Sequence, residues 1–115
     1  MKKTKMLKKN YDFRRVLSRG SFYKGVYIQV AILRTKCQYN LLGLAISTKA
    51  GTAVERNRIK RLIRENYKNI EEKIKIGYEM VFLLNKNVDV HELTYKKIEL
   101  DFDSILKKSE IITKK

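Results

Sequence analysis

The sequence predicts an α+β fold in one domain, with its elements in the order helix, strands, helix, strand, helix. The chain has 115 residues, which suits one domain better than two. Apolar residues recur at helical spacing in three segments and at strand spacing between them. Hydrophobic residues make up 43% of the chain, enough to fill a single core. We therefore expect a two-layer sandwich of the type αβββαβα over residues 1–115.

The first predicted helix follows a basic segment, residues 1–9, which we expect to be a flexible arm. Asn10 is suited to cap this helix, and Gly20 is suited to end it. Phe13 and Leu17 stand four positions apart, so they share one face of the helix. That face is apolar and is predicted to pack on the sheet.

Three strands are predicted after the first helix: a short one at residues 21–23, and longer ones at residues 26–34 and 39–47. The two longer strands are separated by a short polar connection, which predicts that they pair as a hairpin. Alternation along the first of them places Tyr27 and Ala31 on one face and the branched apolar residues on the other.

The second predicted helix begins after the loop of residues 48–52 and ends at Gly77. Its apolar stripe follows the 3.6-residue period and comprises Ile59, Leu62, Ile63, Tyr67, Ile70 and Ile74. Residues 78–84 form a continuous apolar run, which is typical of a strand buried on both faces. A last helix is predicted after Asp89, because Asp89 and Glu92 have the spacing of a capping box.

The charge of the chain is strongly asymmetric. Its net charge is +15, from 27 basic and 12 acidic side chains. Residues 1–70 hold 18 of the basic side chains and only 3 of the acidic ones, whereas residues 71–115 hold nine of each. Repulsion on this scale is best tolerated when a polyanion neutralises it. Nucleic acid and an anionic membrane surface are the candidate partners, and a basic surface without a partner is the third possibility.

Other features of the sequence narrow the class of protein. The chain has no apolar run of 18 residues and no signal-peptide pattern at its start, so we expect a cytoplasmic protein. Its one cysteine, Cys37, excludes an internal disulfide and has no metal-binding partners nearby. A protein nuclease needs clustered carboxylates or a pair of histidines, and His91 is the only histidine. We expect no catalytic residue, metal or cofactor on the polypeptide itself.

The segment from Arg56 to Lys68 is the strongest candidate for binding a polyanion. An arc of about 100° beside the apolar stripe is occupied by cations. These are Lys60, Arg61, Arg64 and Lys68. Arg56 and Arg58 stand at the helix start, where free backbone N–H groups also favour anions. Glu65 is the only acidic residue in this segment. The planar guanidinium groups of its arginines suit bidentate contacts with phosphate.

The same segment resembles the bacterial ribonuclease P protein family. Residues 56–65 begin with Arg-Asn-Arg and continue as a basic helix, like the signature of that family. Residues 43–51 are similar to the family's strand that begins with glycine and to the Ser-Lys-Lys-x-Gly loop that follows it. Thr48 stands at the position of the first lysine of that loop. Residues 7–13 also match, and Leu17 stands where phenylalanine is common. The resemblance covers nearly the whole chain.

The resemblance implies a subunit of a ribonucleoprotein endoribonuclease. In that family an RNA is the catalyst and uses Mg²⁺ to remove the 5′ leader from precursor tRNA, so the polypeptide alone is not expected to be active. The implied contacts with the catalytic RNA are made by Arg56, Asn57, Arg58, Lys60, Arg61, Arg64, Lys68 and Lys49. The implied leader-binding cleft is lined by Phe13, Leu17, Tyr27 and Ala31. A basic groove with aromatic side chains is a usual way to hold a single strand.

The resemblance also implies a left-handed crossover between the strand before the basic helix and the strand after it. The general rule for such crossovers favours the right-handed form in about 98% of cases. Left-handedness is therefore an expectation from the family alone, and the residues themselves would predict the opposite hand.

Three other functions are compatible with a basic α+β domain. A ribosomal or other structural RNA-binding protein would share the charge but would not need a leader cleft. A DNA-binding domain would need base-reading side chains on the exposed helix face, and this helix offers only arginines. A membrane-surface protein would need bulky apolar residues exposed beside the cations, whereas this stripe is predicted to be buried. We expect neither DNA nor a membrane as partner.

Overall fold

The computed structural model describes residues 3–111 and contains one five-stranded sheet with three α-helices. In chain order the elements are β1 (Thr4–Met6), α1 (Asn10–Arg19), β2 (Ser21–Lys24), β3 (Ile28–Arg34), β4 (Asn40–Leu44), α2 (Ala53–Ile70), β5 (Tyr78–Leu84) and α3 (Tyr95–Ser109). The α+β class is confirmed, and the observed order differs from the predicted one by the additional strand β1. None of the helices in the described range is long and apolar enough to cross a membrane.

The strands are arranged in the order β1-β4-β5-β3-β2. The parallel pairs are β1 with β4 and β4 with β5, whereas β3 is antiparallel to both β5 and β2. The predicted hairpin of the two long strands is therefore wrong, because β5 lies between them. β5 is the run that is apolar on both faces, and such a strand is stabilised most at the centre of a sheet. α2 connects β4 to its parallel neighbour β5; the handedness of this crossover stays a prediction.

The N-terminal segment is not a flexible arm throughout. Thr4 pairs with Asn40 in the parallel ladder, and the Thr4 hydroxyl lies 2.6 Å from the Tyr67 hydroxyl in a buried hydrogen bond. The backbone N–H of Lys3 donates to the Glu71 carboxylate at 3.2 Å. The expectation for residues 1–9 is thus wrong at β1, while residues 1 and 2 lie outside the described residues.

The helix boundaries differ from the predicted ones in three places. Lys9 stands at the cap position of α1 without a side-chain cap bond, and Asn10 is already the first helical residue. α2 ends at Ile70 and is followed by a 3₁₀ turn, so the stripe residue Ile74 lies outside the helix. The cap of α3 is Thr94, because Asp89 caps a separate 3₁₀ turn at Val90–Glu92.

The sheet divides the core into two clusters. α2 and α3 cover the first face, where the buried residues include Ile63, Phe82 and Phe102. α1 covers the second face through a smaller cluster of Leu7, Val16, Ala31 and Val81. The helices therefore lie on both faces of the sheet, and the second face has only one helix over it.

Candidate RNA-binding surface

The start of α2 is fixed by a capping box. The Thr52 hydroxyl accepts a hydrogen bond from the Glu55 N–H at 3.1 Å, and the Glu55 carboxylate accepts one from the Thr52 N–H at 2.8 Å. Gly51 permits this arrangement, since a Cβ there would lie 2.6 Å from a Glu55 carboxylate oxygen. The helix thus begins at Ala53, which places the Arg-Asn-Arg motif in its first two turns.

Five half-buried or exposed cations lie along α2 beside its buried apolar stripe, and we call them the basic flank. They are Arg56, Lys60, Arg61, Arg64 and Lys68. Arg61 has one ion pair, a 3.9 Å contact with Glu65 between two exposed side chains, which contributes little. The side chains of the other four make no hydrogen bond or ion pair within residues 3–111. Their charges are therefore not neutralised by the described part of the protein.

Two other predicted contact residues lie near this flank. Asn57 is exposed and falls within the same arc of the helix as Lys60 and Arg64. Lys49 is exposed in the 3₁₀ turn Thr48–Ala50, just before α2. The structure therefore brings both residues to the side of the molecule where the basic flank begins.

Arg58 has different surroundings from the basic flank. Its guanidinium donates to the Leu93 carbonyl at 2.6 Å and reaches the Val90 carbonyl at 3.4 Å. Both acceptors belong to the turn that precedes α3. Arg58 thus contacts another part of the protein, although the family resemblance implies that it contacts the catalytic RNA.

Phe13 and Leu17 lie between α1 and the second face of the sheet. Both are half-buried and pack against the cluster that contains Ala31 and Val81. Gly43 of β4 lies directly beneath Phe13, since a Cβ at Gly43 would be 2.6 Å from the ring atom Cε1. The absence of a side chain at Gly43 therefore lets the ring of Phe13 approach β4 closely.

Tyr27 and Ala31, the other two predicted cleft residues, do not line an open surface together with Phe13 and Leu17. Tyr27 precedes β3 and packs against the first cluster, with Lys97 Nζ 5.5 Å from its ring centroid. Its backbone N–H donates to Asp101 at 2.7 Å, so the chain turns before the alternation begins. The prediction that Tyr27 shares a face with Ala31 is therefore wrong. Ala31 is on the face of Phe13 but is fully buried, so no ligand reaches it in this conformation.

Phe22 is an aromatic residue of the second face that the sequence analysis missed. It pairs with Ala31 across β2 and β3, and cross-strand partners point to the same face. Its side chain is 50% exposed. The available signal was the alternation in β2, but three or four residues are too few to assign a face before the pairing is known.

The second face continues into a cavity of about 600 Å³ at the C-terminal ends of β4 and β5. Ala45 and Leu83 line this cavity and also pack against the cluster beneath α1. Lys49 and Lys86 supply cations at its wall, and Asn85 supplies amide groups. The Asn85 carbonyl oxygen is buried and has no hydrogen-bond partner in the described range. We call the stretch from Phe22 past Leu83 to this cavity the open cleft.

Arginines also lie along α1. Arg14 and Arg19 border a shallow depression on this helix that Leu17 also lines. Arg15 is engaged within the protein, since it pairs with Asp12 at 2.8 Å and with the buried carboxylate of Glu79. α1 thus adds the exposed cations Arg14 and Arg19 to the surface, while Lys49 and Lys86 are the cations at the cavity wall.

The titratable groups of the described residues are mostly dispersed, and His91 is part of the most closely paired set on the surface. No group of three potential metal ligands occurs among residues 3–111. His91 is exposed, with one ring nitrogen 2.8 Å from Asp89 and the other paired with Glu55. The hydrogen bonds from Asp89 and then Glu55 raise the pKa of His91 above its ordinary value of 6.5. This cluster ties the turn before α3 to the first turn of α2.

The comparisons with known proteins agree with this geometry. The family model named Ribonuclease P matches residues 1–110. The ribonuclease P protein component of Clostridioides difficile (strain 630) is 40% identical over 110 residues, which are 95% of each chain. That of Clostridium botulinum (strain Okra / Type B1) is 39% identical over 112 residues, covering 96% of this chain and 98% of the relative.

Solved structures lead to the same family. A structure of the Staphylococcus aureus RNase P protein superposes with a TM-score of 0.82 at 28% identity, covering 94% of this chain and 97% of that one. The RNase P protein from Thermotoga maritima has a TM-score of 0.80 at 23% identity, which bears on the fold alone. The resemblance found in the sequence is confirmed, and the chain belongs to the bacterial ribonuclease P protein family.

Proposed function

We propose that this chain binds the catalytic RNA of ribonuclease P through α2 and holds the 5′ leader of precursor tRNA in the open cleft. The observation that carries the proposal is the basic flank. The side chains of four of its cations have no partner within the described residues, and three of these, Arg56, Lys60 and Arg64, lie in the segment of residues 56–65 that resembles the family signature. A protein with an excess charge of this size is stabilised when phosphates neutralise it.

The contacts proposed with the RNA subunit start at Lys49 and run along α2. Arg56, Lys60, Arg64 and Lys68 would bind phosphates, and exposed Asn57 would donate to phosphate or sugar oxygens. Such contacts position the protein on the RNA without reading its sequence. They suit a partner that is recognised by its shape.

The leader would lie on the second face of the sheet. Phe13, Leu17 and Phe22 offer apolar and aromatic surface on which bases can stack. The cations at the cavity wall, Lys49 and Lys86, would contact the backbone phosphates of the strand. The cleft ends beside the loop that precedes α2, so one molecule can hold the leader and the catalytic RNA at neighbouring surfaces.

The proposal assigns the chemistry to the RNA. The described residues gather no set of three potential metal ligands, so Mg²⁺ is placed on the RNA subunit and no catalytic step is assigned to a side chain. The polypeptide would act by binding and orienting the two RNAs. A role in the cytoplasm, where tRNA is processed, belongs to the same proposal.

Reconstitution tests the proposed function. The protein is mixed with a bacterial ribonuclease P RNA and precursor tRNA at a Mg²⁺ concentration at which the RNA alone cleaves slowly. We expect faster cleavage at the 5′ end of the tRNA when the protein is added. The matched control is a variant in which Arg56, Lys60 and Arg64 are all replaced by glutamine. The glutamine amides keep hydrogen-bond donors at these positions, but three positive charges are removed, so this variant should accelerate cleavage less. No acceleration by the unmodified chain would contradict the proposal.

A further inference from the structure

We propose that Arg58 is a positioning residue that joins α2 to the turn before α3, and that of the two arginines in Arg-Asn-Arg only Arg56 binds phosphate. This inference rests on the proposed function, since it divides the motif of the RNA-binding helix into two roles. It concerns the second arginine alone and leaves the basic flank as described.

The hydrogen bonds of Arg58 fit a structural role. Its Nη2 donates to the Leu93 carbonyl at 2.6 Å and its Nη1 to the Val90 carbonyl at 3.4 Å. Leu93 is fully buried and Val90 is 4% exposed, so these carbonyls lie at the edge of the core. The Val90 carbonyl also accepts from the Leu93 N–H at 3.3 Å, so the Leu93 carbonyl is the one that would lose its donor without Arg58, and such a loss is costly for a buried group. One planar guanidinium can serve two carbonyls at once, which an ammonium group does less well.

Other polar contacts lie on the same side of α2 as Arg58. Asn66, two turns further on, donates to the Tyr95 carbonyl at 3.3 Å, and Asn69 donates to the Tyr95 hydroxyl. Near the helix start, Glu55 pairs with His91 from the same turn as Val90. Arg58 thus belongs to a row of polar contacts that holds the turn and the start of α3 against α2.

Arg56 lies on a different part of the helix. Two positions separate it from Arg58, which is a rotation of about 200°. Its guanidinium makes no hydrogen bond or ion pair within residues 3–111, and only its backbone N–H is engaged, with the Thr52 carbonyl. The two arginines therefore have the same chemistry but opposite surroundings: the guanidinium of Arg58 is used by carbonyls of the protein, and that of Arg56 is not.

The salt dependence of RNA binding separates the two roles. Binding to a ribonuclease P RNA is measured over a range of salt concentrations for the full chain and for the matched variants Arg56→Gln and Arg58→Gln. Arg56→Gln should lower the magnitude of the log K against log[salt] slope by about 0.7–0.9 for one lost phosphate contact. Arg58→Gln should leave the slope unchanged and weaken binding by the same factor at every salt concentration.

Two further measurements keep the inference testable if Arg58→Gln folds poorly. Arg58→Lys keeps the charge, so it should restore affinity if the residue binds phosphate and should not restore it if the residue holds two carbonyls. Hydrogen exchange of the free protein should show faster exchange at the first turn of α3 in both Arg58 variants, but not in Arg56→Gln.

The outcomes distinguish this inference from the proposed function. Equal losses of slope in the two glutamine variants, or full rescue by Arg58→Lys, would overturn the role of Arg58 and leave the proposed function standing. Absence of salt-dependent binding by the unmodified chain would overturn the proposed function itself.

Discussion

The two faces of the sheet differ in how completely helices cover them. On the first face, α2 and α3 enclose side chains such as Ile63 and Phe102, which are at most 2% exposed. On the second face, α1 covers only part of the strands, and Phe22 remains 50% exposed. A closed face contributes most of the folding free energy, whereas an open one keeps apolar and aromatic surface for a ligand. The difference predicts that substitutions on the two faces have different effects.

The largest effect is expected on the closed face. Phe102 stacks on Phe82 with ring centroids 5.0 Å apart, and it is 2% exposed. Phe102→Ala should therefore lower the free energy of unfolding by about 3–5 kcal/mol, measured by urea denaturation followed by circular dichroism. Phe22→Ala removes the same ring from the open face and is the matched control. Similar losses for both variants would show that the second face is as closed as the first.

A buried carboxylate should produce the next largest effect. Asp101 of α3 is 3% exposed and accepts three backbone hydrogen bonds, from Val26 at 2.8 Å, Tyr27 at 2.7 Å and Ile28 at 2.9 Å. Asp101→Asn keeps the shape of the side chain but turns one acceptor into a donor facing these N–H groups. We expect a loss of about 1.5–3 kcal/mol in the free energy of unfolding.

The control for Asp101 is the exposed carboxylate of Asp103 on the same helix. Asp103→Asn should change stability by no more than about 0.5 kcal/mol, as is usual for surface substitutions. If Asp101→Asn were as mild, the connection between β2 and β3 would not depend on α3.

The open face should show its effect in binding. Phe13→Ala and Phe22→Ala are each expected to weaken the binding of leader-bearing precursor tRNA by about 1–3 kcal/mol if a base stacks on the ring. The binding of mature tRNA should change much less. Tyr27→Ala provides the matched control, because Tyr27 packs on the opposite face. A selective loss with Tyr27→Ala, or equal losses on both RNAs with Phe13→Ala, would contradict the assignment of the cleft.

Regular patterns made much of the closed face predictable. The stripe of α2 and the apolar run of β5 follow from periodicity, and periodicity is a property of neighbouring residues. The close approach at Gly43 was also predictable, since a glycine inside a strand indicates contact with another element. The family resemblance supplied the function that these patterns alone did not distinguish from other RNA-binding proteins.

The open face and the edges of the sheet depend on contacts between distant residues. β1 is only three residues long, which is too short for a recognisable strand pattern in the sequence. Its position depends on distant contacts, such as the hydrogen bond between Thr4 and Tyr67, which are 63 positions apart. The strand order was not predictable because β5 enters between β3 and β4 from later in the chain. The faces of Tyr27 and Phe22 and the partners of Arg58 likewise depend on which elements become neighbours.

The smallest effect is expected at His91, in the contact between the start of α2 and the turn before α3. Hydrogen bonds to Asp89 and Glu55 raise the pKa of His91 above 6.5 in the folded protein. Its contribution to stability is therefore fully present below about pH 6.5 and is lost as the pH rises through the raised pKa. The backbone hydrogen bond of Thr52, and then His91, lower the pKa of Glu55 from 4.5, so the stabilising contribution of Glu55 is lost as the pH falls below this value.

The urea midpoint of the unmodified chain should exceed that of His91→Gln most between about pH 5 and 6. The difference should shrink at alkaline pH and stay small throughout, because the groups are exposed and solvent screens them. A constant difference between the two proteins from pH 5 to about 9 would show that protonation of His91 does not stabilise the contact between α2 and the turn before α3.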